Sequence, residues 1–164
     1  MRLPATLVTL ASLIFSLALP APVRAQQGPY WTVSVGGATL SCRDYRNMAV
    51  PIWFDRNIGD AAIARRFPNG SMFIAFNPDA MQRMTPLVQV FVFAHECAHH
   101  ALLPGHSESQ ADCWAAAVVR RQGFVRTNAQ LSEIMRQFAG NPGSGMGHLP
   151  GPQRANLIAR CSTW

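Results

Sequence analysis

The chain of 164 residues contains no lysine, so all 14 of its cationic side chains are arginines. This absence excludes a lysine nucleophile, a phosphate-binding P-loop and the lysine-rich tails that bind nucleic acid. The formal net charge of +6 comes from arginines that are scattered along the sequence, singly or in pairs such as Arg65 and Arg66. We therefore expect no nucleic-acid partner, because no basic stretch is long enough to form a continuous patch.

Charged residues are also few, at 13% of the chain, whereas 49% of the residues are hydrophobic. That balance is typical of a folded protein and excludes an intrinsically disordered one. The length predicts a single domain.

The N-terminal segment has a short basic start followed by an apolar run from Leu3 to Leu19. The sequence Val23-Arg24-Ala25 comes soon after it and has the small residues of a signal peptidase site. We predict a cleaved secretory signal over residues 1–25 and one domain over residues 26–164, exported to the periplasm or the medium. The alternative is a retained membrane anchor, since the run is at the lower limit of length for a span. We expect no membrane span in the rest of the chain.

Strand patterns precede helix patterns along the domain, which predicts an α+β fold. Gly36-Gly37 indicates a two-residue hairpin turn, and Pro51 places its strand at a sheet edge. The segment 60–67 has the composition of two helical turns, begun by Asp60 and ended by Pro68-Asn69-Gly70. Strands are predicted at 30–35, 38–42, 50–55 and 71–76.

Four further helices are predicted, at 86–103, 107–122, 128–138 and 152–161. The first is apolar almost all round and should therefore be central and buried. Pro104-Gly105 ends it and should fold the second helix back against it. We expect a small antiparallel sheet packed on this central helix and its neighbour.

The candidate chemistry lies on the central helix, in the sequence His95-Glu96-Cys97-Ala98-His99. His95 and His99 are separated by one helical turn, so both imidazoles leave the same face and can bind one metal ion. Glu96 is placed to accept a proton from a water molecule. Unpaired buried polar groups are costly, and a metal ion accounts for this polar trio in so apolar a helix. The pattern predicts a zinc site.

A catalytic zinc ion needs a third protein ligand. Glu108 follows His99 by nine residues, just past the Pro-Gly turn, and Asp112 comes one helical turn later. We predict that Glu108 is the third ligand and that Asp112 hydrogen-bonds the outer nitrogen of a ligand imidazole. His106 and Asp112 are the alternatives for the third ligand. The longer HExxHxxGxxH pattern ranks behind these, because Gly105 stands where it requires histidine.

The two segments together resemble the gluzincin metallopeptidases, a group that includes thermolysin and relatives of the CAAX prenyl protease. In that group the two motif histidines and the later glutamate bind zinc, and the motif glutamate is the general base. The resemblance implies that His95, His99 and Glu108 bind zinc and that Glu96 is the general base. It also implies that Asp112 contacts a ligand without binding the metal. Residues 108–115 are especially similar to bacterial neutral zinc metallopeptidases. The spacing from His99 to Glu108 is shorter than in most of those families.

A second resemblance lies near the C-terminus. The sequence from His148 to Arg154 resembles the His-Pro-x-x-x-x-Arg segment of the prenyl-protease relatives, in which the histidine helps to hold the transition-state oxyanion. This implies a catalytic His148. The gluzincin resemblance also implies that an extended peptide adds to the strand at 71–76.

The function that follows is that of an exported zinc metallopeptidase, with a peptide or protein as substrate. One alternative is a zinc-containing binding or regulatory domain without catalysis, and another is a metal-free domain held by disulfides. The sequence sets no oligomeric state.

The four cysteines should form disulfides in an oxidising compartment, since their spacing matches no zinc-ribbon pattern. Cys97 and Cys113 should both face away from the metal on neighbouring antiparallel helices. We therefore predict Cys97–Cys113, which leaves Cys42–Cys161. The alternative is that Cys97 reaches Cys42 through the sheet.

Overall fold

The computed structural model describes residues 30–143 and 147–161, so the predicted signal at 1–25 lies outside the described residues. Within them all five strands precede the five helices, and the fold is α+β as predicted. Among the described residues, no helix has the length and apolar character to cross a membrane. The strands are β1 (Val33–Val35), β2 (Ala38–Leu40), β3 (Ile52–Phe54), β4 (Ala62–Arg66) and β5 (Met72–Phe76). The helices are α1 (Pro78–Met81), α2 (Pro86–Ala101), α3 (Glu108–Arg121), α4 (Asn128–Ala139) and α5 (Gly151–Cys161).

The first two strands form the predicted antiparallel hairpin around Gly36 and Gly37. Both glycines have positive φ, at 58° and 78°, as a tight hairpin turn with this twist requires. A Cβ atom at Gly36 would lie 2.1 Å from the carbonyl oxygen of Pro86. Glycine therefore lets the hairpin reach the start of α2, where the amide of Gly36 donates to the side chain of Gln89.

The helix predicted at 60–67 is wrong, because this segment forms β4. The amide of Phe67 donates to the carbonyl of Ser71 at 2.8 Å, so Pro68-Asn69-Gly70 closes a β-hairpin instead of ending a helix. The five-residue antiparallel ladder with β5 outweighs the helical preference of the alanines and arginines in β4.

The second sheet has the strand order β3-β5-β4 and is mixed, whereas the sequence predicted antiparallel pairing. β3 runs parallel to β5 and lies at an edge, as Pro51 predicted. β5 lies within the strand predicted at 71–76 and is paired on both sides. An added peptide therefore cannot pair with it, and β4 is the sheet edge beside α2.

Helix α2 is central and buried, as its apolar sequence predicted. Phe93 stacks on Phe76 of the sheet at a centroid distance of 5.8 Å, and Phe91 packs on Phe138 of α4 at 5.5 Å. Burial of one such side chain contributes about 1.5–3 kcal/mol. The sheet and the other helices thus hold α2 from several sides.

Helices α4 and α5 meet closely where the chain returns from one to the other. The amide of Gly151 donates to the carbonyl of Asn141 at 2.7 Å. A Cβ atom at Gly151 would lie 2.3 Å from the carbonyl oxygens of Phe138 and Ala139. This contact fixes the start of α5 against the end of α4.

The disulfides join Cys42 to Cys97 and Cys113 to Cys161, so the predicted pairs Cys97–Cys113 and Cys42–Cys161 are wrong. Cys97 faces the segment that follows β2, whereas Cys113 faces α5. The expectation that both cysteines face away from the predicted metal site did not place their sulfurs opposite each other. Each bond closes a long loop, worth about 4 kcal/mol in the loop-entropy picture. Two disulfides are consistent with an oxidising, exported compartment.

The pairing has a simple chemical test, because the peptide 84–120 contains no arginine before its end and carries both Cys97 and Cys113. Cleavage of unreduced protein after arginine should leave the peptides of Cys42 and Cys161 both attached to it. Further cleavage after Glu108 should separate two disulfide-linked species, identified by mass. A Cys42 peptide attached directly to the Cys161 peptide would contradict the structure.

Candidate metal centre

Three side-chain atoms from α2 and α3 converge on one point. Nε2 of His95 lies 3.2 Å from Nε2 of His99, and these two atoms lie 3.1 and 3.3 Å from Oε2 of Glu108. Ligand atoms around a tetrahedral zinc ion with bonds near 2.0–2.1 Å would be about 3.3 Å apart. The three residues therefore form a group that could hold a metal ion.

The outer nitrogens of both histidines also have partners. Nδ1 of His95 lies 2.9 Å from Oδ1 of Asp112, where the sequence predicted an orienting carboxylate. Nδ1 of His99 lies 2.9 Å from Nε2 of His106, whose other ring nitrogen meets the carbonyl of Leu103 at 2.8 Å. His106 and Asp112 thus lie behind the histidines and outside the group of three. Partners of this kind fix the orientation of ligand imidazoles.

Arg154 extends this arrangement into α5. Its Nε and Nη2 donate to the two carboxylate oxygens of Asp112 at 2.8 and 2.7 Å. The side chain is buried, with its guanidinium 4.3 Å from the ring centroid of Phe138. Sequence reasoning missed this role, because an arginine on a terminal helix is usually solvated. The only signal was the resemblance of the segment that it ends.

The charges of the centre are strongly coupled. Burial would raise the pKa of Glu108, but the imidazoles of His148, His95 and His99 together lower it well below its usual range. Burial would lower the pKa of His95, but Asp112 and Glu108 raise it to about 9. The carboxylates of Asp112 and Glu108 therefore favour a proton on His95, which a metal ion would displace.

Glu96 is buried beside His95, and it lines the same cavity as the three candidate ligands. Burial raises its pKa above the usual range, although the nearby histidines partly oppose this. A carboxyl group in a cleft with a raised pKa is suited to accept and release a proton.

His148 reaches the centre from the segment between α4 and α5. Gly147, with a φ of 102°, lets this segment pass close to the side chain of Glu108. Nε2 of His148 lies 2.9 Å from Oε2 of Glu108 and 3.4 Å from Nε2 of His95. The structure therefore brings His148 to the edge of the ligand group.

His100, next to His99, has a different surrounding. It is 1% exposed, and its Nε2 donates to the carbonyl of Phe73 in β5 at 3.0 Å. Burial lowers the pKa of His100 to about 4, so the ring is neutral. This residue holds the end of α2 against the sheet.

The centre opens into a cavity of about 570 Å³. Residues 60–66, which include the whole of β4, form one wall, and the metal group with Glu96 and His148 forms the other. Among the described residues, the edge of β4 away from β5 has no strand partner. The metal centre therefore lies beside an open strand edge.

No family model, curated protein or solved structure matches this chain. The gluzincin resemblance thus rests on the motifs alone.

Arg154→Gln should destabilise the protein, because it leaves the buried carboxylate of Asp112 without its charged partner. We expect a loss of about 3–5 kcal/mol in the free energy of unfolding, measured by urea titration. Metal affinity should fall about 10–100-fold, because Asp112 no longer holds His95 firmly. Arg136→Gln makes the same change at an exposed site on α4 and should alter neither quantity. Equal behaviour of the two variants would contradict this role of Arg154.

The distinction between Glu108 and His106 can be measured through metal affinity. Glu108→Ala removes a candidate ligand and should abolish stoichiometric zinc binding. His106→Ala removes only a partner of His99 and should keep about one zinc per chain, with an affinity about 10–100-fold lower. Competition with a chromogenic chelator gives both values. A greater loss of zinc affinity in His106→Ala than in Glu108→Ala would make His106 the third ligand.

Proposed function

We propose that the protein is a zinc-dependent metallopeptidase that hydrolyses peptide bonds in an exported compartment. The observation that carries this proposal is the position of Glu96, a buried carboxyl group with a raised pKa, in one cavity with His95, His99 and Glu108. A metal site that serves only the fold needs no such base beside it. The two disulfides and the predicted signal agree with export.

The donor set of two imidazoles and one carboxylate is that of catalytic zinc sites. A bound zinc ion would polarise the substrate carbonyl and lower the pKa of water. The chain itself supplies the proton transfers: Glu96 accepts a proton from the attacking water and delivers it to the leaving amine. His148, at the edge of the group, donates a hydrogen bond to the developing oxyanion. Asp112 and His106 keep the two ligand histidines oriented.

The open edge of β4 supports an extended peptide as the substrate. Its backbone N–H and C=O groups can pair with a peptide strand that lies in the cleft, which would place a peptide bond beside the metal centre. This assigns to β4 the role that the gluzincin resemblance implies for the strand at 71–76. Main-chain pairing binds peptides of many sequences, so selectivity must come from side chains along the cleft.

One observation favours the alternative of a zinc-containing binding domain without catalysis. Nε2 of His148 is within 2.9 Å of Oε2 of Glu108 and 3.4 Å of Nε2 of His95, distances that also fit a fourth ligand. A fourth protein ligand would close the site to substrate. The burial of Glu96 in the cavity favours the peptidase, because the binding domain has no use for a base there.

Glu96→Gln is the test of the catalytic role. The variant keeps the size of the side chain and should keep about one zinc per chain, but it cannot accept a proton. Hydrolysis of an internally quenched peptide should fall about 10²–10⁴-fold. Glu133→Gln, on α4 outside the cavity, is the matched control and should retain full activity. Unchanged turnover in Glu96→Gln would exclude Glu96 as the base.

His148→Ala separates the peptidase from the binding domain. As an oxyanion donor, His148 should contribute about 10²–10³-fold to kcat, with zinc affinity almost unchanged on its removal. As a ligand, its loss should lower zinc affinity by orders of magnitude. Loss of zinc in this variant, together with no hydrolysis of a broad peptide library by the zinc-loaded wild type, would establish the binding domain.

A further inference from the structure

The cavity between β4 and the candidate metal centre, called the cleft below, has a basic end. Arg65 and Arg66 form it at the C-terminal end of β4. The guanidinium carbons of Arg46 and Arg66 lie 5.4 and 5.3 Å from the ring centroid of Tyr45, so a third arginine is close by. Asp44 accepts from two backbone amides and from Nε of Arg46, so it is the counter-charge of Arg46. Among the described residues, the charges of Arg65 and Arg66 have no carboxylate partner.

Arg66 has no counter-charge among the described residues. It lines the cavity, and no carboxylate in the described part of the chain forms a salt bridge with it. Its Nη2 is enclosed by the protein and has no hydrogen-bond partner among the described residues. A carboxylate in the cavity would supply the counter-charge that Arg66 lacks.

The position of the basic end relative to the metal centre follows from two contacts of α2. Phe93 stacks on Phe76, which pairs with Ala62 at the start of β4. His100 binds the carbonyl of Phe73, which pairs near the end of β4. The two motif histidines lie between these contacts, so the metal centre faces the middle of β4. The basic end is then two or three residues away along a paired peptide, at roughly 3.3 Å per residue.

The other end of the cleft has the opposite charge. Asp60, just before β4, lines the same cavity. A carboxylate on the substrate would be repelled there and attracted to the basic end, so the charges give a bound peptide one preferred direction.

We propose that the basic end is a substrate subsite for a carboxylate, with Arg66 as its main ligand, so that the preferred substrates are acidic peptides. The carboxylate belongs to an Asp or Glu side chain two or three residues from the scissile bond, or to the C-terminus of the peptide. This substrate preference rests on the peptidase function proposed above.

The experiment uses one responsive, internally quenched peptide with acetylated and amidated ends. Glutamine is placed in turn at each position within four residues of the scissile bond and then replaced by glutamate. For the best position, kcat/KM of the zinc-loaded protein should be about 10-fold higher with glutamate than with glutamine. A third peptide, neutral but with a free C-terminal carboxylate, shows whether the C-terminus is the group recognised.

Variants of Arg66 test the assignment. Arg66→Gln should bring the ratio of the two kcat/KM values close to one, and Arg66→Lys should restore part of it because the charge remains. Arg121→Gln, an exposed charge on α3 outside the cavity, should keep the wild-type ratio. Equal cleavage of all three peptides by the wild type, or an unchanged ratio in Arg66→Gln, would overturn the proposal.

The subsite can be measured even if the protein hydrolyses nothing. Zinc-loaded Glu96→Gln should bind a fluorescent version of the glutamate peptide about 10-fold more tightly than the glutamine version, and the double variant with Arg66→Gln should not. Selective binding without hydrolysis by the wild type would contradict the peptidase and retain the subsite. Hydrolysis without selectivity would contradict the subsite and retain the peptidase.

Discussion

The buried ion pair between Asp112 and Arg154 is the interaction on which the geometry of the candidate metal centre depends. Two charges away from water are stable only when they are well paired, so the pair favours the observed arrangement of α3 and α5. In that arrangement Asp112 also meets His95, which brings α2 into register. The disulfide from Cys113, the next residue of α3, joins the same two helices covalently. The candidate ligands are thus held by contacts that lie outside the centre.

The side chains of the candidate metal centre lie at distances that would suit a metal ion. The carboxylate of Glu108 already contacts three imidazoles, and each histidine of the motif is oriented from behind by a polar partner. Little rearrangement is then needed when a metal binds, which favours both affinity and a defined geometry. A proton held by His95 would have to leave for a metal ion to bind, so binding would compete with protonation.

The sequence predicted those features that depend on neighbours in the chain. The spacing of His95 and His99, the Pro-Gly turn before Glu108 and the glycine pair of the hairpin each act through local geometry. The secondary structure of residues 60–67 could not be predicted from local sequence. Alanine and arginine favour a helix, and only the pairing with β5 makes the segment a strand. The partner of Arg154 lies 42 residues away. The predicted disulfide pairing was wrong for a related reason. Helix periodicity shows which side of α2 carries Cys97, but it does not show which cysteine lies opposite that side.

The close contact between α4 and α5 has a consequence for how the sequence of this protein can change in evolution. The amide of Gly151 holds the carbonyl of Asn141, and the absence of a side chain at Gly151 lets the two helices touch. The segment between them, which carries His148, therefore has its two ends held together at Asn141 and Gly151. Insertions before Gly147 would leave His148, Arg154 and the ligand helices in place, since doubling the length of a loop costs only about 0.6 kcal/mol. New selectivities could arise in this segment while the metal centre and its supports remain unchanged.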